Sequence, residues 1–270
     1  RCLPVLRTVI IVGVLAGRRV VHDAPVENNL SVQASLGRLT GSVNARWRGA
    51  RRRYNRGGTT KGMTTMKLYG SPNSPYVRKA RVLILEKKLR CEFVPEDPWP
   101  EDSPIVTRNP LGKVPALEIE PHNYLFESAL IVHYLDHVDG KSLTPKDAAA
   151  YWQVQWWMAL AQGIIDATVA RLLEMRRPED KRMPEKMTRE EARIHRATAV
   201  AETRFGGGAY LVAKRLSLAD LMLGVAFQYV DFRYPHEWRA KAPRLAAWHE
   251  GIVARKSFQD TLPPGFTPVA

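Results

Sequence analysis

The chain has 270 residues, 45% hydrophobic and 25% charged, enough material for two modest domains with sizeable cores. No run of about 20 apolar residues occurs, so no segment reads as a membrane-spanning helix and no membrane partner is expected. The net charge of +14 is concentrated: residues 1–65 carry 12 basic and 2 acidic side chains, against 29 and 25 in the remainder, so nucleic acid is not an expected partner of the part that folds.

Residues 1–65 are expected to be a basic N-terminal extension, disordered or outside the natural protein. The apolar stretch Thr8–Ala16 behind Arg7 has the start and short core of a signal peptide. No small-x-small cleavage pattern follows it, and Arg18 and Arg19 come directly after. The cluster Arg46, Arg48, Arg51, Arg52, Arg53 and Arg56 suits an RNA-binding arm, but a solvated tail is the simpler reading. The chain starts with Arg, and Met63 and Met66 stand just ahead of the first regular pattern. The two cysteines, Cys2 and Cys91, make no disulfide framework. That fits a reducing compartment, and the cytoplasm is the expected location.

From Lys67 the pattern sharpens. Lys67–Tyr69 reads as a strand, and Gly70-Ser-Pro-Asn-Ser-Pro75 as a loop. A helix follows, with Ser74 as N-cap and Pro75 in its first turn. Val77, Ala80 and Ile84 give it an apolar face, with Lys79, Arg81 and Lys87 elsewhere on the cylinder. Arg90–Val94 is the next strand. Ser74 therefore sits at a helix N-terminus, where free N–H groups and the dipole favour an anion such as a thiolate. A thiol with a pKa of about 8.5 would be held more ionised there, and a Ser74 that only caps the helix is the alternative.

Asn109-Pro-Leu-Gly-Lys-Val-Pro115 is a turn leading into the strand Ala116–Ile119. A proline before a strand removes a ladder donor. A cis Val114–Pro115 bond would turn the Val114 backbone outward toward an extended peptide, and an ordinary edge proline is the alternative. The strand Tyr124–Phe126 follows. A helix then opens at Glu127-Ser128, with Ser128 as N-cap. That helix end suits a carboxylate and Glu127 an ammonium, the two charges of an α-amino acid, although a capped helix with a solvated Glu127 accounts for the same residues.

These pieces in order, β-α-β then β-β-α, resemble the thioredoxin-like N-terminal domain of the glutathione transferase family. The carrying motifs are residues 66–79, Met-Lys-Leu-Tyr-Gly-Ser-Pro-Asn-Ser-Pro-Tyr-Val-Arg-Lys, then Asn109–Pro115, then Phe126-Glu-Ser128. The resemblance implies an α/β glutathione-binding domain at 66–141 followed by an all-helical domain at 146–266. It implies that Ser74 activates the glutathione thiol, with Ser71 as rival. It further implies that Val114, with Pro115 cis, pairs with the cysteinyl unit, that Glu127 and Ser128 hold the γ-glutamyl end, and that Lys113 approaches the glycine carboxylate. Cysteine-type relatives carry Cys at the Ser74 position. Serine cannot form mixed disulfides, which argues against reductase chemistry. The implied partners are glutathione as co-substrate, a small hydrophobic electrophile and a second copy of the chain, with no metal.

In the second half, Lys141–Pro145 reads as a linker and Ala148–Met175 as a long helix. Its Trp152, Trp156 and Trp157 suit packing better than a substrate wall. Arg189–Arg204 is a further helix. Ser217 and Asp220 fit a capping box, with Leu216 and Leu221 as its hydrophobic staple, opening the apolar helix Leu218–Tyr229. This looks like a folding motif of the same family, so Asp220 is read as structural. The expected activity is conjugation of glutathione to an electrophile. Glutathione-dependent isomerisation, dehalogenation or ether cleavage, and a non-catalytic protein-binding role, remain as alternatives. A characteristic Ser-Ser-Cys opening of the isomerases is absent.

Overall fold

The computed structural model describes residues 11–15, 18–22, 65–234 and 236–268. The chain forms two compact units, residues 1–49 and 50–270. In the first, β1 (Ile11–Leu15) pairs antiparallel with β2 (Arg18–His22), Ile11 facing His22. These ten residues depart from the disordered tail expected at 1–65, and their runs of Val and Ile favour strands. The other residues of that expected tail lie outside the described residues, apart from Thr65.

The second unit opens with a four-stranded sheet. Its strands are β3 (Met66–Gly70), β4 (Cys91–Pro95), β5 (Ala116–Glu120) and β6 (Asn123–Phe126), in the order β4-β3-β5-β6. β3 and β4 are parallel, Met66 facing Cys91, and α1 (Pro75–Glu86) makes the crossover between them. β5 runs antiparallel to both β3 and β6. α2 (Ser128–His137) follows β6. This is the thioredoxin-like arrangement that the sequence implied.

α1 differs from its expected amphipathic form. Val77, Ala80, Leu83 and Ile84 are buried, but so are Arg78 and Lys79. Of the residues read as polar, Lys79 is turned from water toward the helical half, as is its neighbour Arg78, while Arg81 and Lys87 are half-buried. Arg78 donates through Nε to the Thr261 hydroxyl at 3.3 Å and through Nη2 to the Phe258 carbonyl at 3.1 Å, and it also bonds Gln228.

The linker is pinned by Asp136, whose buried carboxylate accepts the Ser142 hydroxyl at 2.6 Å, the Leu143 N–H at 2.8 Å and the Thr144 hydroxyl at 2.9 Å. Beyond it come α3 (Ala148–Met175), capped by Asp147, and α4 (Pro184–Arg204). α4 begins five residues ahead of its expected start, because Pro184 fits a first helical turn. α5 (Leu218–Arg233) is the core helix, with 14 of its 16 residues buried. Ser217 and Asp220 form the capping box there, the Ser217 N–H and hydroxyl both donating to Asp220 Oδ2 at 2.9 Å. α6 (Trp238–Lys241), α7 (Pro243–Val253) and α8 (Lys256–Gln259) close the bundle. Of the three tryptophans on α3, Trp157 is buried and Trp156 lies under the Arg204 guanidinium at 4.1 Å. Trp152, expected to pack, is instead 68% exposed.

Candidate functional site

β3 ends at Gly70, and a turn closed by the Ser74 N–H on the Ser71 carbonyl at 3.0 Å delivers the chain into α1. Ser74 has extended backbone angles, φ −80 and ψ 125, and its hydroxyl accepts the Val77 N–H at 3.4 Å. That bond uses a lone pair and leaves the hydroxyl proton free. Capping and donation to an anion are therefore compatible uses of one group. The helix tip favours negative charge, and no acidic residue lies in the first turn of α1 to oppose it. The Ser71 hydroxyl accepts the Asn73 N–H at 3.4 Å, inside the turn that precedes the helix.

The Asn109–Pro115 segment is held by buried Asn109. Its Nδ2 donates to the Lys113 carbonyl at 2.6 Å, and its Oδ1 accepts the Leu111 N–H at 3.0 Å. Gly112 supplies the left-handed step, φ +62, that this turn needs. The Val114–Pro115 bond is cis. Val114 meets the end of β3: a Cβ added to Gly70 would fall 3.2 Å from Val114 Cβ and 2.5 Å from Val77 Cγ2. Glycine at 70 is what lets strand, loop and helix converge. The Lys113 side chain is exposed and makes no ion pair among the described residues.

At the start of α2 the cap is Glu127 and not Ser128, so the helix begins one position earlier than expected, with Ser128 as its first helical residue. The Glu127 carboxylate accepts the Ala129 N–H and the Ser128 hydroxyl, each at 3.4 Å, so it occupies the helix end that had been expected to take a ligand's carboxylate. Its backbone stands at φ +70 and ψ 114. For a residue with a Cβ this costs about 1–3 kcal/mol, and such strain clusters at ligand sites.

Behind Ser74 lies a polar network that the sequence did not reveal. The Tyr76 hydroxyl donates to Asp166 Oδ1 at 2.7 Å, and Gln162 Nε2 donates to the same oxygen at 2.9 Å. Lys79 Nζ donates to Gln162 Oε1 at 2.5 Å. Burial pushes the Lys79 ammonium down to about 8, against the pull of Glu127 and Asp166. Burial and the bond to Asp166 push the Tyr76 phenol up, so it stays a proton donor. The one available signal was Asp166, a lone acid in the apolar run that follows Gly163. The network joins α1 to α3 beside Glu127. Among the described residues, no group of three His, Cys, Asp or Glu side chains could hold a metal ion.

Residues 68–142 match the family model for the glutathione S-transferase N-terminal domain, and residues 184–251 match that for the C-terminal domain. An uncharacterised GST-like protein of Escherichia coli, YibF, is 34% identical over 201 residues, covering 74% of this chain and 99% of its own length. A glutathione S-transferase from Methylobacillus flagellatus, crystallised with glutathione bound, is 35% identical with a TM-score of 0.70, covering 74% of this chain and all of that one. A second, from Methylobacterium radiotolerans in complex with glutathione sulfonate, is 31% identical with a TM-score of 0.71, covering 77% and 99%. Matched over both halves of its fold, the chain belongs to the glutathione S-transferase family.

Proposed function

We propose that this protein is a glutathione transferase that ionises the glutathione thiol at Ser74 and delivers the thiolate to a small hydrophobic electrophile. The observation that carries the reading is the Ser74 hydroxyl. It caps α1 by accepting a bond, so its proton is free at the positive end of the helix. Glutathione bound in the Methylobacillus relative supports the same ligand here. Glu127 and Ser128 are assigned to the γ-glutamyl end, the Val114 backbone beside cis Pro115 to the cysteinyl unit, and exposed Lys113 to the glycine carboxylate. Ser71 sits in the preceding turn and does not cap α1, so it is the weaker candidate for the sulfur contact. The thiolate forms an S–C bond with the electrophile, and the leaving group departs with its electron pair. Where the acceptor is an activated double bond, the pair moves to the acceptor and is protonated. Ser74 and the helix tip hold the sulfur as an anion before attack, so charge stabilisation and positioning supply the acceleration. On this reading the protein works as a homodimer in the reducing cytoplasm and serves detoxification.

Substitution Ser74→Ala should lower kcat/KM for a model electrophile by about 10²–10³, the range for removing one donor to a reacting anion. Glutathione affinity should change far less, and the thiolate absorbance of the bound tripeptide should titrate at higher pH. Undiminished turnover in that variant refutes the assignment. Failure of the wild-type protein to bind glutathione-agarose refutes the reading as a whole, whereas retention without turnover of any electrophile marks a binding module.

A further inference from the structure

α2 carries two histidines that the Ser74 site does not use. His133 and His137 stand four residues apart within Ser128–His137, so they share one face of the helix, and both are exposed. Their rings lie side by side, with centroids 4.5 Å apart and planes inclined at 40°. The His137 Nδ1 is 2.9 Å from the His133 carbonyl oxygen. A carbonyl only accepts, so Nδ1 carries the ring proton and donates it there, and Nε2 keeps a free lone pair. Asp136 adds no third ligand, because its buried carboxylate is already held by Ser142, Leu143 and Thr144. Lys87, the cation at this end of the helix, is neutralised by Asp139 at 2.8 Å.

We infer that His133 and His137 form a bidentate site for a divalent first-row transition ion, such as Cu²⁺, Ni²⁺ or Zn²⁺, on the exposed face of α2. The site shares no residue with the Ser74 cleft and goes beyond the transferase reading. Histidines at i and i+4 of one helix face converge on a single ion, and imidazole is a ligand that all three ions accept. With metal–nitrogen bonds of about 2.0–2.1 Å, two imidazoles on adjacent positions of one ion hold their ring centres about 4.5–5 Å apart. The observed separation meets that requirement with the helix as it stands. The bond from His137 Nδ1 to a backbone carbonyl is the support that fixes tautomer and orientation in ligating histidines. Two protein ligands leave the other coordination positions to water, so the ion is exchangeable.

Calorimetric titration of the full chain with NiCl₂, in a non-chelating buffer without glutathione, tests the site. The wild-type protein is expected to take up an ion that His133→Ala and His137→Ala each bind at least about tenfold more weakly, the lower bound for disturbing even an outer partner of a metal ligand. Both side chains are exposed, so neither variant disturbs the core. His195→Ala alters the other close histidine pair, His195 and His236 with centroids 4.9 Å apart, and should leave uptake unchanged. With Cu²⁺, electron paramagnetic resonance should show coupling to both ring nitrogens in the wild-type protein and lose one in each single variant. No Ni²⁺ uptake by the wild-type protein, uptake undiminished in either single variant, or an equal loss in His195→Ala overturns the site. None of these results bears on the Ser74 reading.

Discussion

At the scale of single residues, Lys79 is the clearest case of a side chain whose surroundings reverse its ordinary behaviour. It stands one turn beyond the Ser74 tip, bonded to Gln162 and facing Glu127 and Asp166. Its ammonium is held near 8 when folded, whereas an unfolded lysine titrates near 10.4. Between those values the unfolded chain binds more protons, so stability contributed through this group rises as pH climbs from about 8 to 10. Lys79→Met should lose that rise. Urea unfolding at the two pH values should show the wild-type gaining up to about 3 kcal/mol relative to the variant. Parallel pH curves would contradict the placement. None of this was legible in the sequence, because a lysine on a helix reads as solvated until its neighbours are known. The helix cap at Ser74 and the turn at Val114–Pro115 were legible, because turn chemistry and capping act within a few residues, whereas the cap of α2 was read at Ser128 and lies at Glu127. The strained backbone of Glu127 was not legible.

At the scale of elements, strand and helix positions followed the sequence to within a residue or two in the sheet-bearing half, since each is punctuated by Gly, Pro or Ser. α3 runs over the same residues that its pattern indicated. The start of α4 was expected at Arg189 and lies at Pro184, which occupies the helix's first turn. α5 shows why an element is more than its pattern. Gly224 lies in its middle, where glycine costs about 1 kcal/mol of helix propensity. A Cβ there would lie 2.9 Å from both Ile252 Cγ2 and Phe258 Cζ. Both neighbours are buried side chains of α7 and α8. Overpacking of this kind costs about 1–3 kcal/mol, which outweighs the propensity gain. Gly224→Ala should therefore lower the urea midpoint, and a neutral or stabilised variant would mean that the helices slide apart freely.

At the scale of the whole second unit, the two halves are joined by charge as well as by apolar packing. Arg255 grips Glu86 with two bonds of 2.8 Å, and the Ser257 hydroxyl donates to the same carboxylate at 2.5 Å. This ties the end of α1 to Arg255, between α7 and α8, and to Ser257 in α8. Although burial raises the Glu86 pKa, the bonds from Arg255 and Ser257 outweigh it and hold the group below the ordinary carboxylate value. Its contribution is thus present above the unfolded pKa of about 4.3 and is lost as pH falls through the folded value. A double-mutant cycle with Glu86→Gln and Arg255→Gln should give a coupling of about 1–2 kcal/mol at pH 7. Acidification below that window should abolish it, and a coupling that survives at low pH would place the tie elsewhere.

The sequence by itself determined the order of elements, the turn that presents Ser74, the Asn109–Pro115 segment and the capping box of α5. Each of these is a local device, written in neighbouring residues. Only the tertiary structure decided that Arg78 and Lys79 of α1 meet the helical half and that Asp166 and Tyr76 meet. Those outcomes depend on residues up to about 180 positions apart, such as Arg78 and Thr261. Charge balance and burial at such distances are set by how the helices pack, which no local pattern encodes.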